Sequence, residues 1–223
     1  MSLSPRTRLR RLPKRSVEER EQAYAIIDEC LICHVAGFNG EHATVLPTAH
    51  WRMGDYVYLH GHGKNGLLRQ LLDGQEASLC FTLIDGLVLA KSAFHHSMNY
   101  RSVVMFGKAE EVTGAHKAES MDAFVDKVSP GRAAQARPGN EIELKATLVL
   151  RIPLTDWSCK VRVGPSSDDA EDLPLPVWSG VIPLSLQAGA PLPDYADGPL
   201  PQLPAGIVTT AVTTVVSTPV GEV

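Results

Sequence analysis

The sequence predicts a mainly β, α+β fold: an antiparallel barrel of six or more strands with short flanking helices. Short runs rich in Val, Ile, Leu, Tyr and Phe recur from Cys30 to Val163. Tight turns separate several of them, at Asn39-Gly40, Met53-Gly54-Asp55 and Asp85-Gly86. The helical periods between these runs are few and short, which disfavours a doubly wound sheet with its regular crossover helices.

In chain order, Ser16-Val17-Glu18-Glu19 reads as a capping box, opening a helix through about Asp28 with Ala23, Ile26 and Ile27 on one face. Strands follow at Cys30 to Ala36, Ala43 to Thr48 and Tyr56 to His60. Gly61-His62-Gly63-Lys64-Asn65-Gly66 is a glycine-rich loop leading into Leu67, Leu68, Leu71 and Leu72 at helical spacing, which Asp73-Gly74 stops. Further strands run Ala77 to Ile84, Leu87 to Ala90, Arg101 to Val112, Ala146 to Ile152 and Ser158 to Val163. A helix from Ala115 to Val128 ends at Pro130-Gly131. The sequence divides into a basic arm (1–15), a barrel domain (16–184) and a tail rich in Pro, Thr and Val (185–223). Within the tail, Ile207 to Val216 is a run able to add a strand to another chain.

The 223 residues carry a formal net charge of −4, which gives no global case for a nucleic-acid partner. No stretch has the length of a membrane span, and Arg10-Arg11 lacks the apolar run of an export signal, so the expectation is a cytoplasmic protein. The four cysteines, Cys30, Cys33, Cys80 and Cys159, are then expected as free thiols. Cys30-Leu31-Ile32-Cys33-His34 has haem-attachment spacing, but it lies in an apolar strand, and core packing is the simpler reading. In an extended strand Cys30 and Cys33 face opposite ways.

Two clusters carry chemistry. The Gly61-to-Gly66 loop places backbone amides, Lys64 and Asn65 at a helix start, a pattern suited to an anion. It is neither a Walker A loop nor a dinucleotide fingerprint, and a plain turn fits it equally. Ser97, Asn99, Arg101 and Ser102 lead into the strand Val103 to Gly107, and Arg101 offers a planar fork for a phosphate or for a surface ion pair. His60 and His62 share one strand face, whereas His95 and His96 diverge. No carboxylate joins them at motif spacing, so no metal site is expected.

The run from Thr82 to Gly107 resembles the pyridoxamine 5′-phosphate oxidase-related flavin-nucleotide-binding family, whose broad superfamily includes nitroimidazole-resistance proteins. Pro47-Thr48, Tyr58-Leu59-His60-Gly61, Ser158-Cys159-Lys160-Val161-Arg162-Val163-Gly164-Pro165 and Leu175-Pro176-Val177-Trp178-Ser179-Gly180-Val181-Ile182-Pro183 are similar to it too, in the family's order over about residues 6 to 184. The resemblance implies an FMN-binding split β-barrel, dimeric, with flavin near the subunit interface. It places Gly61, Lys64, Asn65, Arg101 and Ser102 on the phosphate. Thr48, His60, Ser97 and Asn99 would line the ribityl chain or ring, with Lys160, Arg162 and Trp178 completing the site.

This chain departs from many relatives in having His62, Gly63, Lys64, Asn65 and Gly66 where they carry a Ser-x-x-Ser-Arg arrangement, with Lys64 in place of that arginine's charge. It also lacks the C-terminal Arg-x-His substrate motif of true pyridoxamine phosphate oxidases, which argues against vitamin B6 oxidation. The expected activity is a flavin-dependent oxidoreductase acting on a small molecule, with His60 and His95 or His96 near the substrate and no covalent nucleophile. The alternatives are a flavin carrier or sensor without turnover, and a haem-binding split barrel.

Overall fold

Alternation of buried and open side chains builds the sheet. Ala77, Leu79 and Phe81 are buried while Ser78, Cys80 and Thr82 between them are not, and Val103 and Met105 alternate in the same way with Ser102, Val104 and Phe106. The computed structural model describes residues 4–8, 12–38, 40–195 and 198–209. Its strands are β1 (Ser16–Val17), β2 (Ile32–Phe38), β3 (Ala43–Met53), β4 (Tyr56–His62), β5 (Glu76–Leu89), β6 (Ser97–Lys108), β7 (Glu110–Glu111), β8 (Thr147–Pro153), β9 (Asp156–Arg162), β10 (Gly180–Pro183), β11 (Leu186–Ala188) and β12 (Ile207–Thr209). The α-helices are α1 (Arg20–Glu29), α2 (Gly66–Leu72), α3 (Gly114–Val128) and α4 (Glu141–Ala146).

The large sheet runs β1-β9-β6-β5-β2-β3-β4-β8-β7, with β10 beside β5, and every one of its pairings is antiparallel. The barrel closes where β6 meets β8. Gly107 permits that approach, because a Cβ there would sit 2.7 Å from Ile152 Cγ2. Inside lie Ala23, Ile26 and Ile27 of α1 with Val35, Leu59, Leu79, Phe81, Met105 and Leu150. A second, smaller core of Trp51, Tyr58, Val112 and Val149 is covered by Phe124 and Met121 of α3.

Several local expectations change. Ser16-Val17 is not a capping box: it pairs with Lys160 and Cys159 of β9, and α1 opens after Glu19 with no side-chain cap bond. Strand pairing there satisfies the backbone that a cap would otherwise serve. Cys30 ends α1 rather than starting a strand, so Cys30 and Cys33 both enter the core, and burial pushes their thiols up to about 11 and about 12. Asp85-Gly86 is a bulge inside one 14-residue strand, not a turn between two. Ser97 to Tyr100 already belong to β6. α4, unforeseen, has a capping box of its own in Asn140 and Glu143. The described part of the tail forms β11 and β12, paired parallel within the chain, while residues 210–216 of the proposed added strand lie outside the described residues. Of the basic arm, Arg6 pairs with Glu76 and Asp156, and Arg10 and Arg11 are outside the described residues.

Candidate functional site

One face of the strands β2, β5, β6 and β9 is left bare by the described residues. Ile32 and His34 are exposed on it, and Cys80, Val104 and Ser158 are only half-buried. Register places Thr82 beside Ser102 and Ser102 beside Lys160, so two hydroxyls and an ammonium form a row across this face. Thr82 was not foreseen; it becomes visible only through the pairing of β5 with β6. Lys160 Nζ lies 5.8 Å from the Tyr100 ring centroid.

Two residues further along β9, Arg162 pairs with Tyr100 and is only 7% exposed. Its Nη1 donates to Asn99 Oδ1 and, at 3.2 Å, to the Gly164 carbonyl; its Nη2 donates to the Pro165 carbonyl at 3.2 Å. Its Nε is buried without a hydrogen-bond partner among the described residues, and none of their ion pairs includes it. Burial and the nearby Arg15 both disfavour its charge. A buried guanidinium repelled by a second one and held only by neutral acceptors is the feature that an anionic ligand would complete.

Arg101 and Ser102, expected together on a phosphate, face opposite sides of the sheet, as neighbours on an extended strand must. Arg101 turns to the barrel rim and spends its fork on two carboxylates. Nη1 and Nη2 reach Glu29 at 2.5 and 2.8 Å, and Nε and Nη2 reach Asp85 at 3.0 and 2.8 Å. It lines a cavity of about 300 Å³ under Leu184–Leu186 and Ala205–Ile207. In this structure the fork expected on a phosphate is engaged as a rim ion pair with Glu29 and Asp85.

The Gly61-to-Gly66 loop is likewise not an open cradle. The amide of Gly63 donates to the Ala146 carbonyl at 2.9 Å, that of Lys64 to His62 Nδ1 at 3.1 Å, and that of Asn65 to the His62 carbonyl at 2.8 Å. Asn65 Oδ1 caps α2 through the Leu68 amide at 3.1 Å. Gly61 pairs with Leu148 of β8, and Lys64 is exposed. Three of the amides that the pattern seemed to offer an anion are engaged within the chain.

The remaining expected residues scatter. Thr48, half-buried on β3, donates to the Leu46 carbonyl at 3.4 Å. His60 is packed 4.4 Å from Phe124 beneath α3, where burial lowers its pKa and leaves Nδ1 without a partner. Ser97 is half-buried at the start of β6, and Trp178 is exposed in the loop before β10. His95 pairs with Asp169 at 3.1 Å, and His96 Nδ1 lies 3.0 Å from the Ser92 carbonyl. No helix among the described residues is long and apolar enough to cross a membrane.

The strand order, closed by β6 on β8, defines a split β-barrel. The chain belongs to the pyridoxamine 5′-phosphate oxidase family, whose model matches residues 19–161. It is 39% identical to the flavocytochrome Anf3 of Azotobacter vinelandii, over 89% of this chain and 94% of that one, with a TM-score of 0.83. It is 36% identical to the FAD and haem binding protein of Mycobacterium smegmatis, over 84% and 94%, with a TM-score of 0.80. A candidate 5-nitroimidazole antibiotic resistance protein of Bacteroides thetaiotaomicron shares the fold at 20% identity and a TM-score of 0.56, over 66% and 86%. A search of curated protein sequences finds no match.

Proposed function

We propose that this protein binds a flavin nucleotide on the bare face of β2, β5, β6 and β9 and works as a flavin-dependent oxidoreductase. The observation that carries this reading is the buried, acid-free Arg162 beside the Lys160–Ser102–Thr82 row. Lys160 and Arg162 would hold the phosphate by charge, and Ser102 and Thr82 by hydroxyl donation. Asn99 keeps the Arg162 fork oriented through Nη1. When bound, the flavin would supply hydride or single-electron transfer through its ring. The protein's part is to grip the nucleotide, position the ring and keep water from it.

FMN is the nucleotide that the family resemblance implies. The 36% identical relative described as FAD-binding favours FAD, and we read the nucleotide as FAD. The same relative and the flavocytochrome support a second reading, in which haem accompanies the flavin. An accessible imidazole is one common axial ligand of a b-type haem, and His34, exposed on the same sheet face, offers one. The bare face also supports a homodimer, with a second copy covering it over the bound nucleotide.

Fluorescence titration with FAD and with FMN tests the reading. Saturable quenching by at least one of them is expected, weakened in Arg162→Met. Titrations that show no binding by either nucleotide would overturn it.

A further inference from the structure

We infer that Arg15 and Ser16, where the basic arm joins the barrel, grip the second phosphate of a flavin dinucleotide. Resting on the flavin reading above, this makes the arm the element that selects FAD over FMN. Ser16 pairs with Lys160, Lys160 with Ser102, and Ser102 with Thr82. Directly paired residues share a sheet face, so the row of donors runs on past Lys160 to a third hydroxyl on β1. At about 4.8 Å per strand spacing, the row from Thr82 to Ser16 is about 14 Å across. A single phosphate, narrower than one spacing, cannot reach both ends. Two phosphates joined in line, followed by the ribityl hydroxyls, match that length.

Positive charge converges at the same end of the row. Arg15 closes a 3-10 turn, Pro13–Arg15, that leads directly into Ser16. Because β1 and β9 are antiparallel, the residues before Ser16 lie towards Arg162, and Arg15 stands near enough to disfavour the charge there. Arg15 and Lys160 are half-buried, Arg162 is 7% exposed, and none of the three is in an ion pair among the described residues. Arg6 of the same arm has two carboxylates, Glu76 and Asp156. Three unmatched cations in one corner repel one another, and an anion with two phosphates shared among them removes that repulsion. The buried Nε of Arg162, without a partner among the described residues, is a donor left for it.

The arm is pinned on both sides of this turn. At its start Arg6 lies 4.4 Å above the Phe106 ring and pairs with Glu76 and Asp156, and Ser4 Oγ donates to Asp156 at 2.7 Å. At its end β1 is paired to β9. Leu12, immediately before Pro13, has φ +56°, the one left-handed backbone other than glycine among the described residues. A leucine gains nothing from that conformation, and a following proline disfavours it further. Strain of this kind is kept where it serves a ligand clamp, and here it starts the turn that carries Arg15. β1 is the edge of the large sheet, so the adenosine half of the nucleotide has a way out past it. A purely structural arm would need the Arg6 pairs and β1, but not an unmatched arginine set beside a buried one.

Calorimetric titration of the full chain with FAD and with FMN tests the clamp. The wild type is expected to bind FAD at least about tenfold more tightly than FMN. In Arg15→Met the FAD affinity falls by about tenfold while the FMN affinity stays within about threefold, and Arg15→Lys, which keeps the charge, recovers most of the loss. Arg162→Met weakens both flavins. Thermal melting of the unliganded Arg15→Met protein, little changed from wild type, shows that the arm still packs. Equal affinities of the wild type for the two flavins, an unchanged FAD affinity in Arg15→Met, or equal losses for both flavins there would overturn the clamp and leave flavin binding standing. A wild type that binds neither flavin removes the flavin reading itself, and the clamp with it.

Discussion

Arg101 and Arg162 lie on adjacent strands yet face opposite electrostatic situations. Arg101 is matched by Glu29 and Asp85, whereas Arg162 is buried beside another arginine with no carboxylate partner among the described residues. Arg162→Met is therefore expected to weaken flavin binding by about tenfold to a hundredfold, as loss of a charged hydrogen bond does, with the melting temperature little changed. Arg101→Met reverses the pattern. It costs about 1–3 kcal/mol of stability, read from denaturant unfolding, and leaves flavin affinity within a few-fold of wild type. In the sequence these two arginines looked alike. Ser102 was marked by its place at a strand end, and Lys160 and Arg162 by the family resemblance alone, but the partners of Arg101 are 16 and 72 residues away, and only the folded register reveals them.

His50 adds a pH dependence at the same scale. It is buried, its Nε2 lies 2.9 Å from the Ile27 carbonyl, and burial lowers its pKa to about 4. In the unfolded chain it titrates near its ordinary value of 6.5, so between those two pH values the unfolded state binds more protons. Stability is present above that window and is lost as the pH falls through it, by on the order of 3 kcal/mol. His60, also lowered by burial, acts in the same direction. Urea unfolding at a series of pH values checks this, and His50→Gln should flatten the slope. An unchanged slope in that variant would place the acid sensitivity elsewhere.

Among the elements, the core strands and α1 were readable because buried and open residues alternate on each strand and buried residues recur at helical spacing on α1. The bulge at Asp85 was not. Asp-Gly is a common hairpin turn, and what keeps the chain extended here is a neighbour, β10, that the local sequence cannot announce. Gly86 pairs with Pro183, and a Cβ on it would meet the Ile182 carbonyl oxygen at 3.0 Å. Gly86→Val is accordingly expected to detach β10 and loosen the segment that follows it over the Arg101 rim. Limited proteolysis should then cut between about residues 164 and 186 faster than in wild type while the barrel fragment survives. Equal cutting rates would show that β10 is held by other contacts. The Gly61-to-Gly66 loop marks the opposite limit of legibility. Its glycines and polar residues are real turn chemistry, but the Gly63, Lys64 and Asn65 amides are engaged by Ala146 and by His62.

On the scale of the whole molecule, a sheet face with exposed Ile32 and His34 and half-buried Cys80 and Val104 is unusual for a surface meant to meet only water. The hairpin of β2 and β3 carries Phe38 and Val45, 56% and 57% exposed, away from the same barrel. A dimer that covers these surfaces predicts a sedimentation mass near twice 24.1 kDa, and Val104→Lys should shift it towards the monomer and release bound flavin. A monomeric wild type that retains tight flavin binding would separate the two proposals. The barrel itself was legible from the chain, whereas its bare face emerged only when four strands distant in sequence were laid side by side.

Flavin binding is read most simply from the absorption spectrum of the purified protein, before and after FAD is added and then under anaerobic reduction. Flavin bands perturbed by the protein and bleached on reduction are expected, with a Soret band as well if haem shares the site. A spectrum without flavin bands, and no perturbation of added FAD or FMN, would contradict it.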